Sequence, residues 1–550
     1  MEENPDVRVP VLVVGGSLVG LSTSLFLSRH GIRHLLVEKH AGTSEHPRGR
    51  GINARTMELF RTAGAEPAIR RAASALAANN GILQTESLTG DQHNWLVKEV
   101  DPGGTLARFS PTGWCLCSQN NIEPELAAQS RAQGADVRFS TELMSFDQDE
   151  NGVDALVKNR ETGEHIRVRA DFLIAADGPR SPVREALRIP QTGGGELFHN
   201  VSITFRSQRL TEVLGDLRFI VCYLIRPGAD GALLPVDNDT QWVFHAPWHP
   251  DQGETLEDFT DERCVRQIRE AIGVPDLDVA IGGKAPWHAA ERVAVRYSSG
   301  RVFLAGDAAH EMCPTGAFGS NTGIQDAHNL AWKIAAVLDG SAGIELLDSY
   351  EAERLPVARA TSERASARSA EHSHPGYAPP PTMGGGGPKS GVLPTAMGYC
   401  YPVGAVVGGD PDRAVIPDGL RLKGDVGTRA PHLWVTRAGQ RLSTLDLYER
   451  SFVLLTSPGT PWAEAAAAVA RRGGARLDSY TVGSAGSGAD LVQADDVDWT
   501  EVHELPAGGA VLVRPDGFVA WRTDGGAGAP ESGAPEAVLL DVLAKVLRTG

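Results

Sequence analysis

Residues 9–38 constrain the fold of this chain more than any other stretch. Val9–Val14 is an apolar run suited to a buried strand, and Gly15-Gly16-Ser17-Leu18-Val19-Gly20 follows at once. Leu21–His30 then reads as a helix with Leu21, Leu25 and Phe26 on one face, and His34–Val37 is a second apolar strand ending in Glu38. This strand–turn–helix–strand order, with an acid about twenty residues past the glycines, is the dinucleotide-binding unit of an open α/β sheet. Gly15 permits the tight turn and Gly20 permits close helix–strand packing. Glu38 is placed to accept bonds from an adenosine ribose. Ser17 stands where the fingerprint usually has its middle glycine, and its small side chain leaves room for a pyrophosphate.

Two more apolar strands end in the same way. Phe172–Ala176 leads into Asp177-Gly178-Pro179-Arg180-Ser181, and Val302–Ala305 leads into Gly306-Asp307. After Asp307 a Gly- and Pro-rich loop runs through Pro314 to Gly319-Ser320-Asn321, and a helical pattern starts near Ile324. A strand ending in Asp presents a carboxylate to ribityl or ribose hydroxyls. A Gly-rich turn that opens a helix brings backbone N–H groups up to an electron-rich ligand. Alone, an Asp-Gly pair is a common turn; three such strand ends in this order are specific.

Together these blocks resemble the aromatic hydroxylase family of flavoprotein monooxygenases, the class that includes 4-hydroxybenzoate hydroxylase. Further matches are Pro47-Arg48 leading through Gly51-Ile52-Asn53 to Arg55-Thr56-Met57-Glu58-Leu59, Gln119 with Glu123 and Leu126, and Tyr350, Glu353-Arg354 and Pro356-Val357. The resemblance covers roughly residues 8–370 and looks closest to bacterial hydroxylases of polycyclic aromatic polyketides. It implies non-covalent FAD, with Gly15, Ser17, Leu18, Val19 and Gly20 at the pyrophosphate and Glu38 and Lys39 at the adenosine. It further implies Arg48 and Asp177 near diphosphates, Gln119 on the flavin side chain, and Gly306, Asp307, Pro314, Gly319, Ser320 and Asn321 around the ribityl chain and flavin ring.

The implied reaction uses NADPH or NADH as a transient reductant and O2 as oxidant, through a flavin C4a-hydroperoxide that an electron-rich ring attacks. A Baeyer–Villiger or related rearrangement on the same fold is an open alternative. So is a non-oxygenating flavoprotein, either a dehydrogenase or a flavin-binding module. The sequence leaves the choice of nicotinamide coenzyme, the carbon oxidised and monomer versus homodimer open.

Composition narrows the partners. The chain has 550 residues and a formal net charge of −17 with no basic run, which argues against nucleic acid and anionic membranes. No apolar stretch reaches the roughly 18 residues needed to span a bilayer. The acidic N-terminus leads straight into the first strand, so a cytoplasmic protein without a signal peptide is expected. Six scattered cysteines form no C-x-x-C pair, and the 16 histidines show no metal-ligand spacing, so free thiols and no metal are expected.

The expected architecture is α/β. A Rossmann-like FAD-binding domain (1–185 and 291–373) is interrupted by an antiparallel-sheet substrate domain at 186–290. A Pro/Gly-rich linker (374–400) leads to a thioredoxin-like domain at 401–550. In the substrate domain, Val201–Phe205, Phe219–Ile225 and Gln241–His245 read as strands, rich in aromatic residues. Tyr223 and His245 are the candidate substrate contacts, because each can make a polar contact to a phenol from a strand. In the last unit Phe452–Leu455 and Ala510–Arg514 read as strands, Trp462–Arg472 as a helix and 523–536 as a loop. Segments 427–431 and 513–522 resemble the thioredoxin-like tail of phenol and polyketide hydroxylases. That unit has no cysteine, which excludes thiol redox chemistry there and leaves a structural or interfacial role, with the flavin chemistry independent of it.

Overall fold

The strands that carry the Gly and Asp turns lie side by side. A computed structural model describes residues 5–371, 391–494, 497–506, 508–523 and 534–549. In it Val7–Val14 pairs in parallel with His34–Val37 on one side and with the strand His165–Ala175 on the other. Val302–Leu304 adds in parallel beyond His165–Ala175. In register, Val14 faces both Val37 and Ala175, and Ala175 faces Leu304. Glu38, Gly15, Asp177 and Asp307 therefore emerge together at the carboxyl edge of one parallel sheet, where ligands of doubly wound folds bind. Helix Leu18–Arg29 packs against helices Gln119–Ala132 and Phe318–Leu338. A continuous apolar core of strand and helix residues fills the layers between.

Both cofactor helices begin earlier than their sequence pattern suggests. The first starts at Leu18, directly after Ser17, in place of Leu21. The second starts at Phe318, so Gly319, Ser320 and Asn321 form its first turn and not a preceding loop. Small residues at a helix start look like turn in a sequence, because the tertiary contacts that favour helix there are not local.

The second sheet is antiparallel, as expected of the substrate domain, but its membership is wider than 186–290. Its order is His310–Glu311, Ala280–Ala294, Gln191–Arg206, Gln241–Trp248, Gly231–Pro235, Val221–Leu224, Ile82–Thr85 and Asn94–Val97. The last two come from the N-terminal segment, and Ile82–Thr85 pairs in parallel with Val221–Leu224. Of the expected strand Phe219–Ile225 only Val221–Leu224 forms, and Phe219 lies before it, buried in the core. Alternation sorts the faces. Phe205, Trp242 and Phe244 enter the core with Ile268 and Ile272 of helix Asp261–Ile272, while Tyr223 and His245 turn the other way.

Of the expected linker, residues 374–390 lie outside the described residues. Its last part, by contrast, contains the helix Val392–Met397, whose Met397 packs on Ala54, Leu106 and Leu422. The C-terminal unit has the thioredoxin-like core. Phe452–Thr456 crosses through helix Pro461–Arg472 to parallel Leu477–Gly483, then Ala510–Val513 and Val519–Thr523 add antiparallel before helix Pro535–Leu547. Of the 523–536 loop, residues 524–533 lie outside the described residues. Ser457–Thr460 forms the turn between Phe452–Thr456 and helix Pro461–Arg472.

Candidate active site

A cleft of about 1820 Å³ runs from the carboxyl edge of the parallel sheet to the open face of the antiparallel one. That exceeds the roughly 300–1,000 Å³ of a single small-ligand pocket. Gly15, Ser17, Leu18, Val19, Glu38, Lys39, Arg48, Gln119 and Asp177 line one part. Asp307, Pro314, Gly319 and Ser320 line the middle, and Tyr223, His245 and Trp287 the far wall. Gly20, Gly306 and Asn321 do not face the cleft. A Cβ on Gly20 would sit 1.8 Å from the Gly15 carbonyl oxygen, so Gly20 sets helix-to-strand distance. Asn321, expected at the flavin ring, instead receives the Asn53 N–H (3.0 Å) and donates to the Gly51 and Ala317 carbonyls. It fastens the early arginine segment to the helix start.

Glu38 accepts the Gly16 N–H at 2.6 Å and the His40 N–H at 2.9 Å, which holds the glycine turn against the second strand. Ser17 Oγ donates to Glu123 Oε1 (2.5 Å), while Gln119 Nε2 donates to both Ser17 Oγ (2.9 Å) and Glu123 Oε1 (2.7 Å). The residue replacing the middle glycine is thus part of a polar clamp that fixes Gln119. Glu123 is the most deeply buried member of this clamp, and its i+4 position from Gln119 is the sequence signal for it. Asp177 Oδ2 accepts the Val183 N–H, whereas Oδ1 is buried without a partner. Burial raises the Asp177 pKa, against bonds from Ser181 and Val183.

Asp307 is open to the cleft but deep in the protein, and burial raises its pKa, with the nearby His310 opposing. Its loop is held from behind. Asp326, fully buried, accepts the Gly306 N–H (3.3 Å), His310 Nε2 (2.8 Å) and Arg354 Nε (2.7 Å). Cleft-lining Gly319 and Ser320 present the positive end of a 21-residue helix to the same space.

The far wall is a row of cross-strand neighbours. Ala285, Ser202, His245, Ala232 and Tyr223 are successive register partners over five strands, and all line the cleft. The small Ala232 separates His245 from Tyr223, and the small Ser202 and Ala285 continue the floor beyond His245. His245 sits edge-on to Trp287 at 5.1 Å. Tyr223 is 4% exposed, with its pKa pushed up to about 12 by burial, against its bond to Thr315 and the charge of Arg368. Arg368, on helix Asp348–Glu371, also lines this end, a residue that a helical surface pattern in sequence conceals.

At the seam between this sheet and the Asp307 loop, Glu196, His199 and His288 bring their donor atoms within 4.8 Å of one another. Sequence spacing hides this cluster, because strand pairing assembles it. Arg292 bridges Glu196 and Glu311 at 2.9 Å each, so these carboxylates already have a cation.

The cleft fits an extended dinucleotide. It has a glycine cradle with no space for side chains, acids at two strand ends, an orphan acceptor at a third, and helix N–H groups in the middle. Residues 8–365 match the FAD binding domain family, and residues 423–547 match the aromatic-ring hydroxylase C-terminal family. The chain belongs to the FAD-dependent aromatic-ring hydroxylases.

The hydroxylase is 65% identical to a Streptomyces halstedii protein assigned as a polyketide hydroxylase, over 99% of this chain and 98% of that one. It is 40% identical to the tetracenomycin A2 monooxygenase-dioxygenase of Streptomyces glaucescens, over 94% of each. A ternary complex of aklavinone-11 hydroxylase with FAD and aklavinone superposes with a TM-score of 0.88 at 37% identity, covering 99% of this chain and 100% of that one. Among the described residues, no helix of the hydroxylase is long and apolar enough to cross a membrane.

Proposed function

We propose that this enzyme hydroxylates a polycyclic aromatic polyketide, with NAD(P)H as a transient reductant and O2 as oxidant. The observation that carries this reading is the single cleft joining the dinucleotide cradle to a flat, aromatic-edged floor. The relatives named for polyketides, tetracenomycin and aklavinone support the substrate class.

FAD, when bound and reduced, supplies the oxygen-activating chemistry, and the protein supplies position, electrostatics and exclusion of water. Gly15 and Leu18–Val19 seat the pyrophosphate, Glu38 and Lys39 the adenosine, and Arg48 and Asp177 the diphosphate region. Gln119 and Asp307 take the hydroxyls of the flavin side chain. The helix start at Gly319-Ser320 would offer its N–H groups to negative charge on the reduced cofactor. On the floor, a planar ring system lies over Ala232, between Tyr223 and His245. Tyr223 stays protonated at neutral pH, so its hydroxyl can donate to a substrate oxygen, with Arg368 beside it as the cation that favours an electron-rich, partly ionised phenol. No second dinucleotide fingerprint occurs in the sequence, which fits a reductant that visits without a domain of its own.

The test is Tyr223→Phe in the FAD-loaded enzyme, assayed with a panel of polycyclic aromatic polyketides and both nicotinamide coenzymes. Substrate should stimulate NAD(P)H oxidation in the wild type, and the variant should keep its flavin while kcat/KM falls about tenfold, the worth of one hydrogen bond. Unchanged kcat/KM would remove Tyr223 from the substrate site. No stimulation by any polyketide would overturn the substrate class.

A further inference from the structure

Arg50 is a buried cation without a counter-ion. It is 9% exposed, Nη1 donates to the Pro235 carbonyl at 2.5 Å, and Nη2 donates to the Ile220 carbonyl at 2.9 Å. No acidic side chain pairs with it among the described residues. Other charged groups on the cleft near the same end are already engaged. Arg70 pairs with Glu66 at 2.8 Å, and Asp101 accepts the Leu106 N–H and the Thr105 hydroxyl. Burial lowers the Arg50 pKa to about 10, which leaves it charged at neutral pH.

Its surroundings define what could complete it. Arg50 lines the cleft where its two carbonyl partners flank Val221 and Leu234. Ile82, Val221 and Leu234 form an apolar row one step along the sheet from the Tyr223–His245 row, with Ile82 the register partner of Val221. Two residues along a strand span about 6.6 Å, so a fused ring system lying on the Tyr223 row extends over the apolar row toward Arg50. A buried, uncompensated charge is costly unless paired. An apolar floor with one unpaired guanidinium at its end is the chemistry of an aromatic acid.

We propose that Arg50 is a specificity-determining residue that binds an ionised oxygen, a carboxylate or an acidic phenol, on the end of the aromatic substrate remote from Tyr223. This rests on the cleft being a polyketide site. The cofactor and coenzyme phosphates are the other anions in reach, and the experiment separates them.

FAD-loaded enzyme is titrated with anthraquinone-2-carboxylate and with its methyl ester, following the flavin absorbance band. The wild type should bind the carboxylate at least tenfold more tightly than the ester. Arg50→Gln should erase that preference, Arg50→Lys should keep most of it, and the FAD dissociation constant should be the same in all three. Equal binding of both probes by the wild type, or a preference that survives in Arg50→Gln, overturns the assignment. Loss of FAD or a raised KM for NAD(P)H in Arg50→Gln, with the probe preference intact, assigns the cation to a phosphate and overturns it as well. If Arg50→Gln does not fold, the wild-type probe pair and Arg50→Lys still decide. Failure of both probes to bind, with no polyketide stimulating NAD(P)H oxidation, defeats the polyketide reading itself; a binding ester equal to the acid defeats only the role of Arg50.

Discussion

At the scale of single residues, Asp307 is the side chain on which cofactor binding should depend most. It stands at a strand end, open to the cleft, on a loop that Asp326 fixes from behind. Asp307→Ala removes a charge-assisted hydrogen bond worth about 1.5–3 kcal/mol, so FAD should bind roughly 10- to 100-fold more weakly. Flavin release on dilution measures this, and an unchanged dissociation constant would contradict it. The His288–Glu311 pair gives a pH signature. Its bond to Glu311 raises the His288 pKa above the ordinary 6.5. Burial alone would raise Glu311, but bonds from His288 and Arg292 outweigh it and hold Glu311 below its usual value. A raised histidine stabilises the fold fully below its unfolded pKa and loses that contribution as pH rises through its folded pKa. The depressed Glu311 contributes above its unfolded pKa and loses its share as pH falls through its folded pKa. The excess stability of wild type over His288→Asn should therefore be largest just below the ordinary histidine pKa of 6.5 and shrink as pH rises through the raised folded-state pKa. For a partly solvated pair its size is of order 0.5 kcal/mol. Thermal unfolding across that range checks it; a difference that grows with pH would contradict it. That Asp307 and Tyr223 reach the cleft is legible in the sequence, because one follows an apolar strand in a Gly-Asp turn and the other lies on an alternating strand. Arg50 and Arg368 are not, because an arginine in a loop or on a helix reads as surface until the fold shows what covers it.

At the scale of elements, backbone approach governs the cofactor edge. Helix Phe318–Leu338 crosses the Gly306 turn at Gly323, where a Cβ would stand 2.7 Å from both Gly306 Cα and a Val19 methyl. Gly323→Ala must push the helix from the turn, so FAD affinity should fall at least tenfold and the melting temperature by several degrees, as overpacking typically costs about 1–3 kcal/mol. FAD affinity within twofold of wild type would show that the turn tolerates the displacement. The parallel strands are readable, since each couples an unbroken apolar run to a Gly or an acid at its end, whereas their order in the sheet comes only from the structure. The helix starts were misread by several residues at Leu18 and Phe318, where the deciding contacts are long-range. Ile82–Thr85 and Asn94–Val97 were missed as members of the substrate sheet, because Ile82 pairs with Val221, 139 positions away, and nothing local announces such a partner.

For the whole molecule, the C-terminal unit is tied to the flavin domain by buried charge. Arg429 bonds Glu58, with its Nε 2.9 Å from Glu58 Oε2. Arg514 reaches Glu353 at 2.7 and 2.9 Å, and Lys333 and Asn329 converge on the same carboxylate at 2.8 and 2.7 Å. Glu353 is held far below the usual carboxylate range; burial opposes this, and the charges of Arg514 and Lys333 prevail. The strands Phe452–Leu455 and Ala510–Arg514 and the helix Trp462–Arg472 could be read from the sequence, but these ion pairs could not, since Glu58 and Glu353 on two separate helices and Arg429 and Arg514 in the C-terminal unit carry no sign that they meet. Breaking one buried pair costs about 3–5 kcal/mol, so Arg514→Met should lower urea-unfolding stability by about that much; a loss under about 1 kcal/mol would contradict the account. The proposed function has one oxygen atom reach an aromatic polyketide in the cleft. The most direct measurement is turnover of the FAD-loaded enzyme under 18O2 with NAD(P)H and a polycyclic aromatic polyketide, read by mass spectrometry. Coenzyme oxidation should rise only with substrate, and the product should be heavier by one labelled oxygen atom. Coenzyme oxidation that ignores the substrate, or a product carrying no label, would contradict it.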